Sequence, residues 1–378
     1  MAAGLRAHYA ASPPGLPGRR RIVCRMGAGA LGLPREGGRA PVARIQALST
    51  PKLAAADAQH LAAQAYGLVC RATPLPSERD QNFRLVAEDG ARYVLKIANS
   101  DEDRAVLELQ HAAMRHAAAR AGSIELPRVL PSTGGLDIIE LAEGPGAGHM
   151  LRLFSWLEGE PLARAEPHDD VLLASLGTAM GRLDAALASF SHPAVHRELH
   201  WDVRHADRAL RHLPLLGAEE QGIVRRLMGP FAAVPWARLC MQAIHGDAND
   251  YNVLVRAGRV AGFLDFGDMV HSALACDLAI AIAYTMLGKP DPLRVAQVVT
   301  GAYARECPLG EAEAACLYDL TVARLCLSVC YAAFNAREKS DDPYQQVTAG
   351  PAWQLLRVLD ALPAGTGRDA FRDAAVTR

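Results

Sequence analysis

Between Ala243 and Asp268, two short β-prone runs interrupt a half of the chain that is otherwise patterned for helices: Asn252–Arg256 and Val260–Leu264, around a turn at Ala257-Gly258. A hairpin brings the residues at its two ends together, and these ends are polar. Asp247 and Asn252 precede it, and Asp265 and Asp268 follow it. The surrounding segments Asp169–Ala188, Ala206–His212, Ala275–Leu287, Pro292–Glu306, Glu311–Arg337 and Trp353–Leu362 carry helical periodicity. Upstream the texture is different. A helix capped by Ser49 or Thr50 runs to Gly67, and Phe83–Ala87 and Tyr93–Ile97 flank the turn Glu88-Asp89-Gly90. A helix from Asp101 to Arg120 follows, then a second hairpin, Leu136–Leu141 with Met150–Leu157. The expected fold is α+β, with a small antiparallel-sheet lobe over 46–155 and a mainly helical lobe over 156–378.

Composition narrows the functional classes. The net charge of -1 gives no electrostatic attraction to nucleic acid or to an anionic membrane, so neither is an expected partner. The apolar stretch Ala273–Leu287 is too short to cross a bilayer and contains Asp277. No CxxC spacing occurs among the 8 cysteines, and Cys326 and Cys330 sit one helical turn apart; reduced thiols and a cytoplasmic location are expected. Residues 1–45 are rich in Gly, Pro, Ala and Arg. A transit peptide is one reading, but Pro13, Pro14 and Pro17 break any amphipathic helix, so a disordered or spurious extension is expected. His192, His196 and His200 repeat at helical spacing with His205 nearby, yet Pro193 disturbs the helix that would align them on zinc. The glycines of Gly144–Gly148 join two strands, not a strand and a helix, so they do not make a dinucleotide loop.

The chemistry that suits the hairpin is phosphoryl transfer. It needs a carboxylate for the acceptor hydroxyl, hard oxygen ligands for Mg²⁺ and a cation on the remaining phosphates. Asp247 can serve as the base, Asn252 and Asp265 as the metal ligands, and His245 as the residue that orients the loop. The cation is suggested by scarcity. Among 40 basic residues only Lys52, Lys96, Lys289 and Lys339 are lysines, and Lys96 alone lies in an apolar strand-like run. Arg324, set among Leu, Val and Cys on an apolar helix, must also find a partner. A substrate carboxylate and an internal salt bridge serve equally well.

The sequence His245-Gly-Asp-x-x-x-x-Asn252, followed by Leu264-Asp-Phe-Gly-Asp268 and Asp277-Leu-Ala279, resembles the aminoglycoside phosphotransferase and choline kinase family. The first two motifs parallel the protein-kinase H-R-D-x-x-x-x-N and D-F-G signatures. Leu75–Phe83, Tyr93–Ile97, Leu107–Gln110 and Asp265–Met269 are similar in texture to the hydroxylysine kinase group, and the likeness extends from Thr50 to Leu362.

That resemblance implies a two-lobed protein-kinase-like fold with ATP or GTP as donor and Mg²⁺ as cofactor. It makes Lys96 the contact to the nucleotide phosphates and Glu108 its partner on the next helix, with Glu102 as the competing candidate. It makes Ser77–Phe83 the loop over the phosphates. That loop has no glycine, so Ser77, Arg79 and Asn82 would supply donors instead. Leu153–Trp156, with Phe154 and Trp156, becomes the inter-lobe linker beside the purine. Asp277 is expected to buttress the catalytic loop. For Asp268 two readings stand level, a second metal or substrate-amine contact and a structural carboxylate. The acceptor implied is a hydroxylated amine or amino acid such as 5-hydroxylysine, with homoserine, choline, ethanolamine or an aminoglycoside as alternatives. A catalytically silent binding module is the rival class, although every expected catalytic position is filled.

Overall fold

A computed structural model describes residues 51–376 except 78, 145 and 339–342. The expected extension over 1–45 and the cap at Ser49 or Thr50 lie outside the described residues. Helix α1 (Ala55–Tyr66) starts where the Asp57 carboxylate accepts the Ala54 N–H at 2.8 Å, and it ends at Gly67 in the left-handed conformation. Three strands follow, β1 (Cys70–Leu75), β2 (Gln81–Ala87) and β3 (Arg92–Ile97), then α2 (Arg104–Ala118), capped by Asp103. Strands β4 (Val129–Leu130), β5 (Ile139–Glu140) and β6 (Met150–Ser155) complete an antiparallel sheet of order β1-β2-β3-β6-β4, with β5 also on β6. The alternation of β2 and β3 buries Phe83, Leu85, Leu95 and Ile97 against Ala58, Leu61 and Ala62 of α1, giving this lobe its own core. Sequence patterning had shown two hairpins here. It missed β1, whose side chains are mostly exposed and lack an apolar alternation.

Past β7 (Glu160–Pro161) the chain is mainly helical: α3 (Asp170–Leu187), a 3₁₀ segment at Val203–Leu215 and α4 (Ala218–Met228). Strand β8 (Met241–Ile244) leads into the polar hairpin, formed by β9 (Val253–Arg256) and β10 (Arg259–Phe263). Strand β11 (Val270–Ala273) then pairs back on β8. The β8–β11 pairing was not anticipated, and it clamps the two ends of the motif region into one unit. Helices α5 (Leu274–Thr285), α6 (Pro292–Glu306), α7 (Glu311–Glu338), α8 (Pro343–Asp360) and α9 (Thr366–Val376) complete the lobe. Helix α3 packs on α6 so tightly that a Cβ on Gly177 would lie 2.1 Å from the Val299 carbonyl oxygen. Over Glu311–Arg337, α7 is long and apolar enough to cross a bilayer by length and composition. The sequence reading had found no such run. Its apolar residues, including Leu317, Leu320, Leu325, Leu327 and Val329, are buried in the core of this lobe.

Candidate active site

The loop after β8 is built around backbone N–H groups that need acceptors. Asp277, fully buried at the start of α5, accepts the His245 N–H at 2.8 Å and the Gly246 N–H at 2.9 Å. Behind it, burial and the nearby Asp277 charge hold the Asp184 carboxyl well above the usual carboxylate range. Tyr303 Oη donates to Asp184 at 2.6 Å. His245 is also committed at both ring nitrogens: Nε2 meets the Leu264 carbonyl at 2.8 Å and Nδ1 meets the Asp247 N–H at 3.3 Å. It ties the two halves of the motif together, as its role as an orienting residue requires.

Asp247 is held from three directions. Arg324 Nη2 donates to Oδ1 at 3.0 Å, while the side-chain amides of Asn249 and Asn252 donate to Oδ2 at 3.0 Å and 2.9 Å. A carboxylate has about four lone-pair sites, so one is left to take a hydroxyl proton. This carboxyl is raised to about 7: burial is the largest cause and Asp268 and Asp265 add to it, against the lowering effect of Arg324 and of the Asn249 hydrogen bond. Asn252 uses its amide nitrogen twice, on the Asp247 backbone carbonyl and side chain, which leaves its amide oxygen uncommitted among the described residues.

At the other end of the hairpin, the Leu264 N–H donates to the Asn252 carbonyl at 2.8 Å, so Asn252 and Asp265 are brought together as expected. Asp265 has φ +51°, a strained conformation for a non-glycine residue, which aims its half-exposed carboxylate into the cleft. Lys96 Nζ lies 3.5 Å from its Oδ2, and that ammonium holds the Asp265 carboxyl down to about 2. An ionised carboxylate beside a free amide oxygen is a hard-oxygen donor pair that suits Mg²⁺, which keeps water and phosphate oxygens as its other ligands. No group of three His, Cys, Asp or Glu residues gathers anywhere among the described residues, so the donor set here is the pair Asn252 and Asp265, and the spaced histidines 192, 196, 200 and 205 make no metal cluster.

The expected partner of Lys96 is not Glu108. Glu108 points outward and pairs with Arg104 one turn back, at 3.0 Å. Its place in the helical pattern allowed an inward orientation, but the buried stripe of α2 falls on Val106, Leu107, Leu109 and Gln110. Glu102 is half-buried among Asp80, Arg197, Arg79 and Arg152, and Lys96 is not among its charged neighbours. Substituting Glu108→Ala should therefore leave nucleotide affinity unchanged and alter stability by no more than about 0.5 kcal/mol, the range for an exposed helical pair. Thermal melts and a nucleotide titration check both.

The structure bears on three further expectations. Arg324 is 2% exposed; Nη2 bonds to Asp247 and to Tyr284 Oη at 3.2 Å, Nη1 bonds to the Trp201 carbonyl at 3.0 Å, and the buried Nε has no hydrogen-bond partner among the described residues. The internal salt bridge, with Asp247, is the reading the structure supports. Asp268 is buried and its Oδ1 forms an ion pair with Arg79 of the phosphate loop, which gives the structural reading a partner. Phe154 lies in mid-strand, paired with Val94 on one side and Val129 on the other, with its side chain in the core. The lobes are joined after Ser155, from Trp156 to Gly159, and the Trp156 ring sits under the guanidinium groups of Arg84 and Arg92.

Of the loop donors, Ser77 is exposed at the lobe surface, Arg79 faces Asp268, and Asn82 is buried directly opposite Lys96 on β2. Two contributors were missed. Arg197 holds the Asp265–Asp268 turn through the Gly267 and Met269 carbonyls. Asn249, inside the motif, organises the loop by accepting the Tyr251 and Asn252 N–H groups. A wall of Trp201, His200 and Tyr331, with ring centroids 5.1–5.3 Å apart, adjoins Arg324.

The phosphotransferase enzyme family (APH) model matches residues 71–314. The hydroxylysine kinase of Mus musculus is 28% identical over 348 residues, covering 83% of this chain and 91% of that protein. A microcompartment-associated aminopropanol kinase has the same fold, with a TM-score of 0.63 at 17% identity over 82% of this chain and 99% of its own. Amicoumacin kinase hAmiN, in complex with AMP-PNP, Ca²⁺ and Ami, superposes with a TM-score of 0.61 at 16% identity, covering 80% of this chain and 93% of that one. The chain belongs to the phosphotransferase enzyme family and has its two-lobed kinase-like fold.

Proposed function

We propose that this enzyme transfers the γ-phosphoryl group of a Mg-nucleotide to the hydroxyl of a small amine or amino acid, with 5-hydroxylysine the best candidate. One observation carries the reading: Asp247 is fixed by three donors and keeps one acceptor site, in a loop tied by His245 to the turn that bears Asp265. In this reading Asp247 takes the hydroxyl proton as the oxygen attacks phosphorus, and the bond to the nucleoside diphosphate breaks. Lys96 offsets charge on the phosphates, and Asn252 and Asp265 hold the metal. When bound, Mg²⁺ neutralises phosphate charge that would otherwise repel the attacking oxygen. Most of the rate enhancement comes from positioning and electrostatics.

The acceptor assignment is supported by the similarity to hydroxylysine kinases over most of their length. It is also supported by the accessible rings of His200 and Trp201, which lie beside Arg324 and suit an ammonium-bearing substrate. With Arg324 bound to the base, the substrate carboxylate must find another cation.

The test is a matched set of initial rates with 5-hydroxylysine, homoserine, ethanolamine, choline and an aminoglycoside, each with ATP and with GTP. The highest kcat/KM is expected for 5-hydroxylysine. A higher value for choline or for an aminoglycoside would replace the amino-acid assignment while keeping the phosphotransferase one.

A further inference from the structure

In strand β6, Arg152 is an arginine only 1% exposed, and no step above requires it. It lies directly opposite Lys96 in the β3–β6 register, as Asn82 does on β2, so the nucleotide lysine is flanked by both on one face of the sheet. Like charges opposite one another on a sheet repel, and a cation without water is costly to bury. The fold nevertheless retains it and answers it with two partners. Nη1 donates to the Gln110 amide oxygen on α2 at 2.8 Å, and Nη2 donates to the Asp80 carboxylate at 3.1 Å.

Each partner belongs to a different part of the nucleotide site. Asp80 ends the loop that carries Ser77 and Arg79, and its other oxygen accepts the Asn99 N–H just past β3 at 3.3 Å. Gln110 belongs to α2, which packs on α3, on Pro193–Val195 and on the Phe266–Asp268 turn that follows Asp265. The Arg152 guanidinium is thus the polar joint between the lysine strand, the phosphate loop and α2.

We infer that Arg152, acting through Asp80 and Gln110, is the positioning residue of the nucleotide site, doing here what a glutamate on α2 paired with Lys96 would otherwise do. Its charge directs the Lys96 ammonium away from β6 and toward Asp265, and its two hydrogen bonds fix the loop and helix that enclose the phosphates. The inference rests on the nucleotide-site reading proposed above.

The test uses the full chain and Mg-ATP and Mg-GTP titrations, with steady-state KM values for the acceptor measured alongside. Gln110→Leu keeps volume and charge. It is expected to weaken nucleotide binding about tenfold, the scale of one hydrogen bond lost from a charged donor. The acceptor KM should stay unchanged. Gln110→Glu should restore nucleotide affinity, and Arg152→Lys, which cannot span both partners, should behave like Gln110→Leu. Glu108→Ala is the control and should match wild type. If Gln110→Leu is folded and binds nucleotide as wild type does, or if it shifts nucleotide affinity and acceptor KM equally, Arg152 is a structural residue only and the inference fails. A wild-type protein that binds no nucleotide would instead remove the underlying site reading.

Discussion

Substituting Asp247→Asn is expected to lower turnover by about 10²–10⁴-fold, the range for removal of a positioned general base. Mg-nucleotide affinity should change by less than about threefold, below the effect of one lost hydrogen bond. The separation follows from the contacts. Asparagine keeps an oxygen that can accept from Arg324, but it sets an NH₂ group against the amides of Asn249 and Asn252, which both donate to the native carboxylate. The Asn252 amide is still held by the Asp247 backbone carbonyl at 2.9 Å, so its oxygen stays available to metal. Isothermal titration with Mg-nucleotide, paired with initial rates, reads both quantities. Normal turnover in this variant would mean that Asp247 is not the base.

The second large effect is expected at the adjacent residue. Gly246 has φ +81°, and a Cβ there would lie 2.3 Å from the Asp268 carbonyl oxygen, a backbone atom that cannot step aside. Gly246→Ala combines a left-handed conformation imposed on alanine with overpacking, together about 2–5 kcal/mol of destabilisation. Relief of the clash must move either the Asp247 loop or the turn that carries Asp265 and Asp268, and both belong to the site. A fall in kcat of at least about 100-fold is expected, since a misplacement of about 1 Å in such a site costs that much. Denaturant melts measure the first effect and initial rates the second. An alanine variant with wild-type stability and rate would show that the two loops do not pack as described.

Much of this site was legible in the sequence because its chemistry is carried by residue types at hairpin spacing. Asp247, Asn252 and Asp265 flank one β-turn, and any fold that forms β9 and β10 must bring them together. Lys96 was visible because a lysine in an apolar strand is hard to explain by solvation. The same logic applied to Arg152, an arginine in the run Met150–Ser155, but the chain uses arginine so freely that it did not stand out. Glu108 was misplaced for a geometric reason. Positions two apart on a helix differ by about 200° of rotation, so Gln110 faces inward while Glu108 faces water. Arg324 was recognised as needing a partner, but a sequence cannot say whether the partner is a ligand or Asp247, which lies 77 positions away. Strands β1, β8 and β11 escaped for lack of alternation or length, and it is their pairing that sets the frame around the motifs.

The most direct test is phosphorus NMR of the wild-type enzyme with Mg-nucleotide and 5-hydroxylysine. The expected result is a phosphomonoester signal that grows in step with nucleoside diphosphate and is absent with Asp247→Asn. Nucleoside diphosphate accompanied only by inorganic phosphate, for this acceptor and for every other hydroxyl compound tried, would contradict the assignment of the chain as a kinase of small hydroxylated molecules.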